Sequence, residues 1–324
     1  ANKNLKVIVL FKEKGVLKQT YEFFNECGIK SVGINSGEGY VPGDVMLSTV
    51  QSIDRVLDSH LEQATVLMVD EVHQFGVGDT TIAAIESFPN ATHRYGFTAT
   101  VPKEKSESVN SRMTLEGAFG PVYTTRTVEE LVKDGSLAKP IIQIVENAPT
   151  DPVDEGISYQ EAYEEHIVNG TARNEQIHSI QKLIYRSSPK AKILILVKNL
   201  KHITNLSKKL KNVYVIEGID KLSERYDKIK SFAESKTAAT IIGTNVMQTG
   251  ISIDEITHMI NARGMKGEIP TIQGLGRGVR KNKATDVLYY YDFYDKVKYL
   301  EGHSKARIKH YTELNLEINY VRIK

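Results

Sequence analysis

The ten residues ATVLMVDEVH, at positions 64–73, decide the fold class of this chain. The first six are mostly apolar, which predicts a short buried strand. Two carboxylates, Asp70 and Glu71, follow this strand directly. Because an α/β sheet holds its ligands outside the carboxyl ends of its strands, this pair is placed to bind a magnesium ion. A solvated strand end is the alternative interpretation.

Apolar strands alternate with amphipathic helices through the first half of the chain. We predict strands at 5–10, 45–48, 66–70 and 93–97, and helices at 17–27, 50–57 and 80–87. Residues 36–43 and 103–111 are polar or rich in glycine, so we predict mobile loops there. The alternation is typical of a parallel sheet with right-handed crossover connections.

The second half repeats this order. We predict strands at 192–197, 213–216, 239–243, 258–261 and 287–291, and helices at 172–185, 200–210 and 222–233. A short helix at 128–134 that Gly135 closes, followed by Lys139-Pro140, indicates a boundary. The sequence therefore predicts two tandem α/β domains, at 1–139 and 140–324, the second with a helical extension at its C-terminus.

Composition and charge limit the class of protein. No apolar run approaches the roughly 20 residues that span a bilayer, and no leader opens the chain, so we expect a cytoplasmic protein with no membrane partner. The single cysteine, Cys27, allows neither an internal disulfide nor a thiolate zinc site. Residues 1–139 hold 14 Lys and Arg against 18 Asp and Glu, whereas residues 140–324 hold 28 against 22. The basic second half favours contact with phosphate backbones, although many domains carry such an excess without a nucleic-acid partner.

Three further segments follow the acidic pair in a fixed order. They are YGFTAT at 95–100, GTNVMQTGISID at 243–254 and QGLGRGVR at 273–280. With Asp70-Glu71-Val72-His73, these segments resemble motifs II (DExH), III (TAT), V and VI (QxxGRxxR) of the superfamily 2 helicases. The resemblance implies two RecA-like domains that use ATP and Mg²⁺. More loosely, segments at 119–135, 159–161, 250–253 and 305–321 resemble phage recombination helicases of the UvsW type.

The resemblance implies a metal-binding role for Asp70 and catalytic roles for Glu71, Arg277 and Arg280. Asp70 would bind Mg²⁺ directly or through water, and Glu71 would share the metal site and activate the attacking water. Arg277 and Arg280 lie three apart on a helix, so they share one face and can act as arginine fingers. A solvated helix face is the alternative for the arginine pair.

Other residues would bind the nucleotide or couple its hydrolysis to movement. Thr98 and Thr100 stand at a strand end, where they either relay the state of the metal or only terminate the strand. His73 would bridge the domains, or else be an ordinary buried hydrogen-bonding residue. The remaining nucleotide-binding candidates are Gly250, Asp254 and Gln273.

A separate set of residues is predicted to contact nucleic acid without reading its sequence. The stretches that resemble motifs Ia, Ib, IV and V supply Lys12, Thr49, Gln51, Lys198, Asn199, Thr244 and Thr249. In the first of these stretches, Phe11-Lys12 stands where the family usually has Pro-Thr. This departure weakens the assignment of individual contacts there.

The stretch 293–324 interleaves tyrosines with basic residues. Its members are Tyr294, Tyr299, Tyr311, Tyr320, Lys296, Lys298, Lys305, Arg307, Lys309 and Arg322. Such a stretch can bind DNA. A long amphipathic helix that packs its aromatic residues on the core also gives this pattern, and we favour the helix.

One part of the expected machinery is missing from residues 1–324. The family carries a glycine-rich loop ending in Gly-Lys-Ser/Thr, which holds the triphosphate, and we expect it just before residue 1. The sequence thus predicts an ATP-dependent DNA helicase or translocase that acts on branched DNA in a phage-infected cell. The motor subunit of a restriction or remodelling complex, or an inactive nucleic-acid-binding scaffold, are the alternatives.

Overall fold

A computed structural model describes residues 6–36, 39–55, 62–75, 85–98, 101, 109–123, 126–147, 156–244, 255–267 and 285–323. The chain divides into two compact units, Ala1–Thr124 and Thr125–Lys324. Each unit is built on one largely parallel sheet, which confirms the predicted fold class. The first unit therefore ends before Lys139, the residue after which the sequence predicts the boundary. Lys139 is the first residue of a strand that pairs within the second unit.

Strand order in the first unit places the strand before Asp70 inside the sheet. The strands are β1 (Val7–Phe11), β2 (Val32–Asn35), β3 (Tyr40–Val41), β4 (Val45–Thr49), β5 (Val66–Val69) and β6 (His93–Gly96), in the order β3-β2-β4-β1-β5-β6. The helices are α1 (Lys14–Glu26) and α2 (Val109–Phe119), with 3₁₀ segments at Val50–Arg55 and Val72–Phe75. All pairings are parallel except that of β2 with β3. The apolar strand β5 lies between β1 and β6.

The second unit has a seven-stranded sheet whose pairings are all parallel. Its strands are β7 (Lys139–Asn147), β8 (Lys192–Leu196), β9 (Val213–Ile216), β10 (Ala239–Gly243), β11 (His258–Asn261), β12 (Val287–Asp295) and β13 (Glu317–Val321), in the order β13-β7-β12-β11-β8-β10-β9. Its helices are α3 (Val128–Lys133), α4 (Tyr159–Tyr163), α5 (Thr171–Ser187), α6 (Leu200–Ser207), α7 (Leu222–Glu234) and α8 (Leu300–Glu313). A single π-helical turn, Glu164–Val168, joins α4 to α5.

Several local predictions were wrong. The predicted loop at 36–43 contains β3, which folds back on β2, and the loop predicted at 103–111 ends in the first turn of α2. The predicted helix at 50–57 is a 3₁₀ segment over its described part. The sequence does not predict strand β7, because Lys139-Pro140 is typical of a boundary. Pro140 is tolerated because the pairing of β13 with β7 begins only at Ile141, so no neighbour on that side requires its missing N–H.

The C-terminal stretch packs partly as expected and partly not. Helix α8 buries Tyr311 and Arg307, as an amphipathic helix would, but the chain then turns into β13 at the sheet edge. Arg307 Nε lies 2.8 Å from Asp292 Oδ2, which also accepts a hydrogen bond of 2.7 Å from Tyr311 Oη. Burial disfavours the charged form of Asp292, but the Arg307 guanidinium outweighs it and holds the pKa of that carboxyl below its usual value. This network fixes α8 on β12.

Among the helices in the ranges described above, none is both long enough and apolar enough to cross a bilayer.

His202 generates a prediction about stability and pH. Its ring is buried on α6, with Nε2 3.0 Å from Asn174 Oδ1, and burial lowers its pKa to about 3. Between about pH 6.5 and 3 the unfolded chain binds a proton here and the folded unit does not. The free energy of unfolding should therefore fall as the pH is lowered through this window, by up to about 1.4 kcal/mol per pH unit.

The variant His202→Gln removes this proton uptake. Hydrogen exchange of amides in β8 and β10 between pH 6.5 and 4.5 should show a shallower decline in stability than in the native chain. His93→Gln, in the first unit, is the matched control and should leave the slope in the second unit unchanged. An unaltered slope in His202→Gln contradicts the assignment.

Candidate functional site

The acidic pair sits at a backbone corner that its neighbours hold on both sides. The Asp70 amide donates to the Leu10 carbonyl at the end of β1, and the Val72 amide donates to the Phe97 carbonyl beyond β6. Between these two anchors, Glu71 has a φ of 49°. A non-glycine residue in this left-handed region is strained, and such strain is concentrated at functional sites. The corner therefore fixes the direction in which both carboxylates leave the strand.

Parallel pairing brings other predicted residues to the same edge of the sheet. In register, Leu10 pairs with Val69, and Val69 pairs with Gly96. Phe11 is paired with Thr49 at the ends of β1 and β4. The residues at and after these strand ends therefore share one edge, and among them are Lys12, Thr49, Gln51, Asp70, Glu71, His73 and Thr98.

The surroundings of Asp70 destabilise the ionised form of its carboxyl group. Burial is the larger cause and the adjacent charge of Glu71 is the second, and together they raise the pKa of Asp70. Within the described ranges, Glu71 Oε2 is buried and receives no well-formed hydrogen bond, although His73 Nδ1 lies 3.2 Å away. Two like charges with so little compensation are an arrangement that a cation would relieve.

The geometry of His73 points to one tautomer. Its Nδ1 is 2.6 Å from Thr98 Oγ1 and 3.2 Å from Glu71 Oε2, and the side chain is only 4% exposed. Since an ionised carboxylate can only accept, a proton on Nδ1 suits both neighbours. The other nitrogen, Nε2, is then a buried acceptor for which the described residues supply no donor. His73 thus links β6 to the acidic corner.

The donor set suits Mg²⁺ better than a metal held by protein side chains alone. In the portion of the chain that the structure covers, no group of three or more His, Cys, Asp or Glu side chains gathers as a metal site. Mg²⁺ is commonly held by one or two carboxylates, with phosphate oxygens and water completing its shell. Asp70 and Glu71 are two carboxylates of this kind, and the uncompensated Glu71 Oε2 is consistent with such a role.

The predicted nucleic-acid residues of the first unit differ in what their side chains can reach. Lys12 and Gln51 are exposed. Thr49 is only 1% exposed, and its hydroxyl donates to Ser52 Oγ at 2.8 Å. Because this hydroxyl already has an internal partner, Thr49 can offer a ligand only its backbone.

A buried polar network that the sequence does not predict supports the segment that carries Thr49 and Gln51. Asn35 is fully buried, and its amide donates to Ser48 Oγ at 3.1 Å and to the Ser52 carbonyl at 2.6 Å. These bonds tie the end of β2 to the 3₁₀ segment that carries Gln51. The only available signal was an asparagine at the end of an apolar stretch, and β2 itself was not predicted.

The second unit collects its candidates in the same way. Leu196, at the end of β8, pairs with Gly243 at the end of β10 and with Asn261 at the end of β11. Lys198 and Thr244 follow these ends, and Lys198 is exposed. Asn199 caps α6, since its Oδ1 accepts the His202 amide at 3.0 Å. The side chain of Asn199 therefore has a structural role in the helix.

Seven predicted residues lie outside the described residues. They are Thr100, Thr249, Gly250, Asp254, Gln273, Arg277 and Arg280. Their assigned roles stay predictions from the sequence.

Two known sequence families match the chain in the same order as its two units. The family described as "Type III restriction enzyme, res subunit" matches residues 1–103, and "Helicase conserved C-terminal domain" matches residues 175–282. The ATP-dependent DNA helicase uvsW of Enterobacteria phage T4 is 25% identical over 305 residues, which are 90% of this chain and 59% of that relative. The chain thus spans less than two thirds of the length of the curated relative that it matches.

Solved structures show the same fold. S. cerevisiae Dbp5 bound to RNA and ADP BeF3 has a TM-score of 0.68 and 17% identity, over 99% of this chain and 78% of that one. A fragment of a putative HsdR subunit of a type I restriction enzyme from Vibrio vulnificus has a TM-score of 0.69 and 17% identity, over 98% of this chain and 57% of that one. Both units therefore have the RecA-like fold found in helicases.

The fold and both family matches indicate the class of protein that this chain is similar to. Its two matched regions and its fold resemble those of the superfamily 2 helicases. Within that class it resembles the UvsW type, as the sequence predicted.

The contact between His73 and Thr98 gives a testable prediction about stability. Thr98→Val removes the hydroxyl 2.6 Å from a buried ring nitrogen, which should lower the free energy of unfolding of the first unit by about 1 kcal/mol. Thr98→Ser should restore most of this loss. Denaturant unfolding of the native chain and of both variants measures the difference.

The chain offers a matched control for this experiment. Thr92 Oγ1 and His93 Nδ1 form a similar Thr–His pair, 3.1 Å apart, at an exposed position. Thr92→Val should therefore change stability little. If Thr92→Val and Thr98→Val lower the free energy of unfolding equally, the buried contact between Thr98 and His73 stabilises the unit no more than the exposed pair does.

Proposed function

We propose that this chain is the motor region of an ATP-dependent helicase or translocase that acts on branched DNA. The observation that carries the proposal is the edge of the first sheet, where Asp70, Glu71 and His73 stand beside Thr98 of the next strand. The order of the family matches and the similarity to the phage T4 helicase support it.

Each side chain at this edge has a defined task in nucleoside triphosphate hydrolysis. Bound Mg²⁺ supplies charge neutralisation on the phosphates and orients them. Asp70 is its ligand, and Glu71 orients the attacking water and accepts its proton. His73 and Thr98 hold the acidic corner in place and convey its changes to β6. Arg277 and Arg280 are proposed to stabilise the charge that develops on the transferred phosphoryl group.

Exposed groups at the carboxyl edges of both sheets would contact the nucleic acid. In the first unit these are Lys12 and Gln51, with the backbone of Thr49. In the second unit they are the exposed Lys198 and the half-buried Thr244, with Thr249 predicted from the sequence. Contacts of this kind grip phosphates without reading bases, which suits a motor that moves along a strand.

The preference for branched DNA is the most specific part of the proposal. It rests on the similarity to the T4 protein, which is an ATP-dependent DNA helicase. A cycle in which ATP binding and hydrolysis change the state of the metal site could drive fork unwinding and Holliday-junction migration during recombination and repair.

A second function has its own support. The match of residues 1–103 to a restriction-enzyme res subunit, and the HsdR-like fold, favour the motor subunit of a restriction complex. This second proposal requires movement on linear duplex DNA with no preference for a junction. Forked DNA and linear duplex of equal length therefore separate the two candidates, since a branch-specific enzyme hydrolyses ATP faster on the fork.

The central catalytic prediction concerns Glu71. Glu71→Gln keeps the size of the side chain but removes its basicity, so DNA-stimulated ATP hydrolysis should fall by about 10²- to 10⁴-fold. Binding of DNA, measured by fluorescence anisotropy, should stay within twofold of the native value. The complete gene product is the protein to assay, because a Gly-Lys-Ser/Thr loop does not occur in residues 1–324.

Glu62→Gln, an exposed position in the same unit, is the control and should keep full activity. A native protein that binds DNA but never hydrolyses ATP would instead be a scaffold. If Glu71→Gln retains native ATP turnover, the assignment of the metal and water site is wrong.

A further inference from the structure

Aromatic rings gather beside Lys198 in the second unit, from segments far apart in the sequence. The ring centroid of Tyr159 lies 6.4 Å from that of Tyr299 and 5.2 Å from that of His303. Lys198 Nζ lies 5.9 Å from the same Tyr159 centroid. We call these four residues, Tyr159, Tyr299, His303 and Lys198, the tyrosine patch.

The tyrosine patch lies at the carboxyl edge of the sheet. Lys198 follows β8 after a single residue, and Gly264 follows β11 by three residues. His303 Nδ1 is 3.2 Å from the Gly264 carbonyl oxygen, which holds α8 against this edge. Thr244, the proposed phosphate contact after β10, belongs to the same edge. A strand bound there would pass close to the rings.

Tyr299 is held in an unusual conformation. Its φ is 65°, in the left-handed region that non-glycine residues rarely occupy, and its side chain is still 45% exposed. Burial would explain the strain if the ring filled the core, as that of Tyr311 on α8 does. Core packing therefore does not explain the strained backbone at Tyr299. Strain of this kind is concentrated at functional sites.

The support beneath Tyr299 is rigid. The Asp295 amide donates to Ser304 Oγ on α8, and Asp295 also accepts a hydrogen bond from Asn147 on β7 and a contact from buried Arg173. These bonds fix both ends of the turn that carries Tyr299. A ring held this way loses little entropy when a ligand stacks on it.

The charge around the tyrosine patch favours an anion. The neighbouring carboxylate of Glu164 is paired with Lys201, and that of Glu301 with Lys305. Within the described ranges, no carboxylate forms an ion pair with Lys198, whose ammonium lies over the rings of Tyr159 and Tyr163. Lys198 can therefore meet a phosphate without breaking a salt bridge.

We propose that the tyrosine patch is a stacking site for the bases of a single-stranded nucleic acid, with Tyr299 as the exposed platform and Lys198 as the adjacent phosphate contact. Aromatic rings beside lysines at a groove are the usual means of holding a single strand without sequence preference. The proposal rests on the nucleic-acid binding proposed above, and adds where the bases of the bound strand lie.

Residues 1–324 contain no tryptophan, which allows a direct optical test on this chain. In Tyr299→Trp the new indole is the only one in the chain, and stacked bases should quench its fluorescence. The probes are labelled oligo-dT and oligo-rU of equal length, and their binding is followed in parallel by anisotropy. Saturable quenching, with the same half-saturation point as the anisotropy, is the expected result.

The matched control places the tryptophan on another exposed tyrosine. Tyr320 is 66% exposed on β13, the strand at the far end of the sheet order. Tyr320→Trp should show no saturable quenching by the same oligonucleotides. Quenching of both variants to the same degree would mean that the signal is non-specific, and it would overturn the proposal.

Alanine variants separate stacking from charge. Tyr299→Ala should raise the Kd for single strands by roughly 5- to 150-fold and leave the salt dependence unchanged. Lys198→Ala should lower the slope of log K against log salt by about one. Far-UV circular dichroism checks that each variant folds, and Tyr299→Phe should bind as the native chain does.

The possible negative results have different consequences for the stacking proposal and for the proposed motor function. If the native chain binds oligonucleotides while Tyr299→Trp is unquenched and Tyr299→Ala binds normally, the tyrosine patch is not the site but the proposed motor function survives. If the native chain binds no single strand at all, both proposals fall. If AMP quenches Tyr299→Trp as effectively as the oligonucleotides, the patch is a mononucleotide site and the proposal is wrong.

Discussion

The pairing of β5 between β1 and β6 is the constraint on which the site of the first unit depends. Two backbone hydrogen bonds, from Asp70 to Leu10 and from Val72 to Phe97, hold the chain as it leaves the strand. Glu71 is left in a strained conformation between them. Pairing with both neighbouring strands therefore helps to hold the two carboxylates at this corner in spite of their mutual repulsion. The chemistry proposed for Asp70 and Glu71 therefore begins with strand order.

In the second unit, too, parallel strand pairing determines which side chains lie together at the carboxyl edge of the sheet. Its parallel strands deliver Lys198, Thr244 and Gly264 to one edge, and buried ion pairs fix the elements that surround it. Arg173 contacts Asp295 and stacks on Phe293 at 4.3 Å, while Arg307 contacts Asp292. Breaking such a pair leaves an uncompensated buried charge, which is strongly destabilising. These networks keep the tyrosine patch and its sheet edge in register.

The sequence predicts the strands best where apolar runs are long and end in polar residues, as at β5, β8 and β10. It predicts poorly where position depends on tertiary pairing. Strand β7 begins with Lys139-Pro140, a pair typical of a boundary, and is tolerated only because β13 pairs from Ile141 onwards. The motifs single out Asp70, Glu71 and Lys198 as candidates, but they do not reveal that Thr49 is buried against Ser52 or that Tyr159 and Tyr299 meet across the fold. Contacts between residues this distant leave no periodic signal in one sequence.

The central claim is that the corner after β5 holds the metal and the attacking water of a nucleoside triphosphatase. A crystal structure of the complete gene product with Mg²⁺ and a non-hydrolysable ATP analogue tests this most directly. The account predicts Asp70 on the metal, directly or through one water, and Glu71 within hydrogen-bonding distance of the water that faces the terminal phosphate. A bound nucleotide whose metal is held by other residues, with both carboxylates turned to bulk solvent, would contradict it.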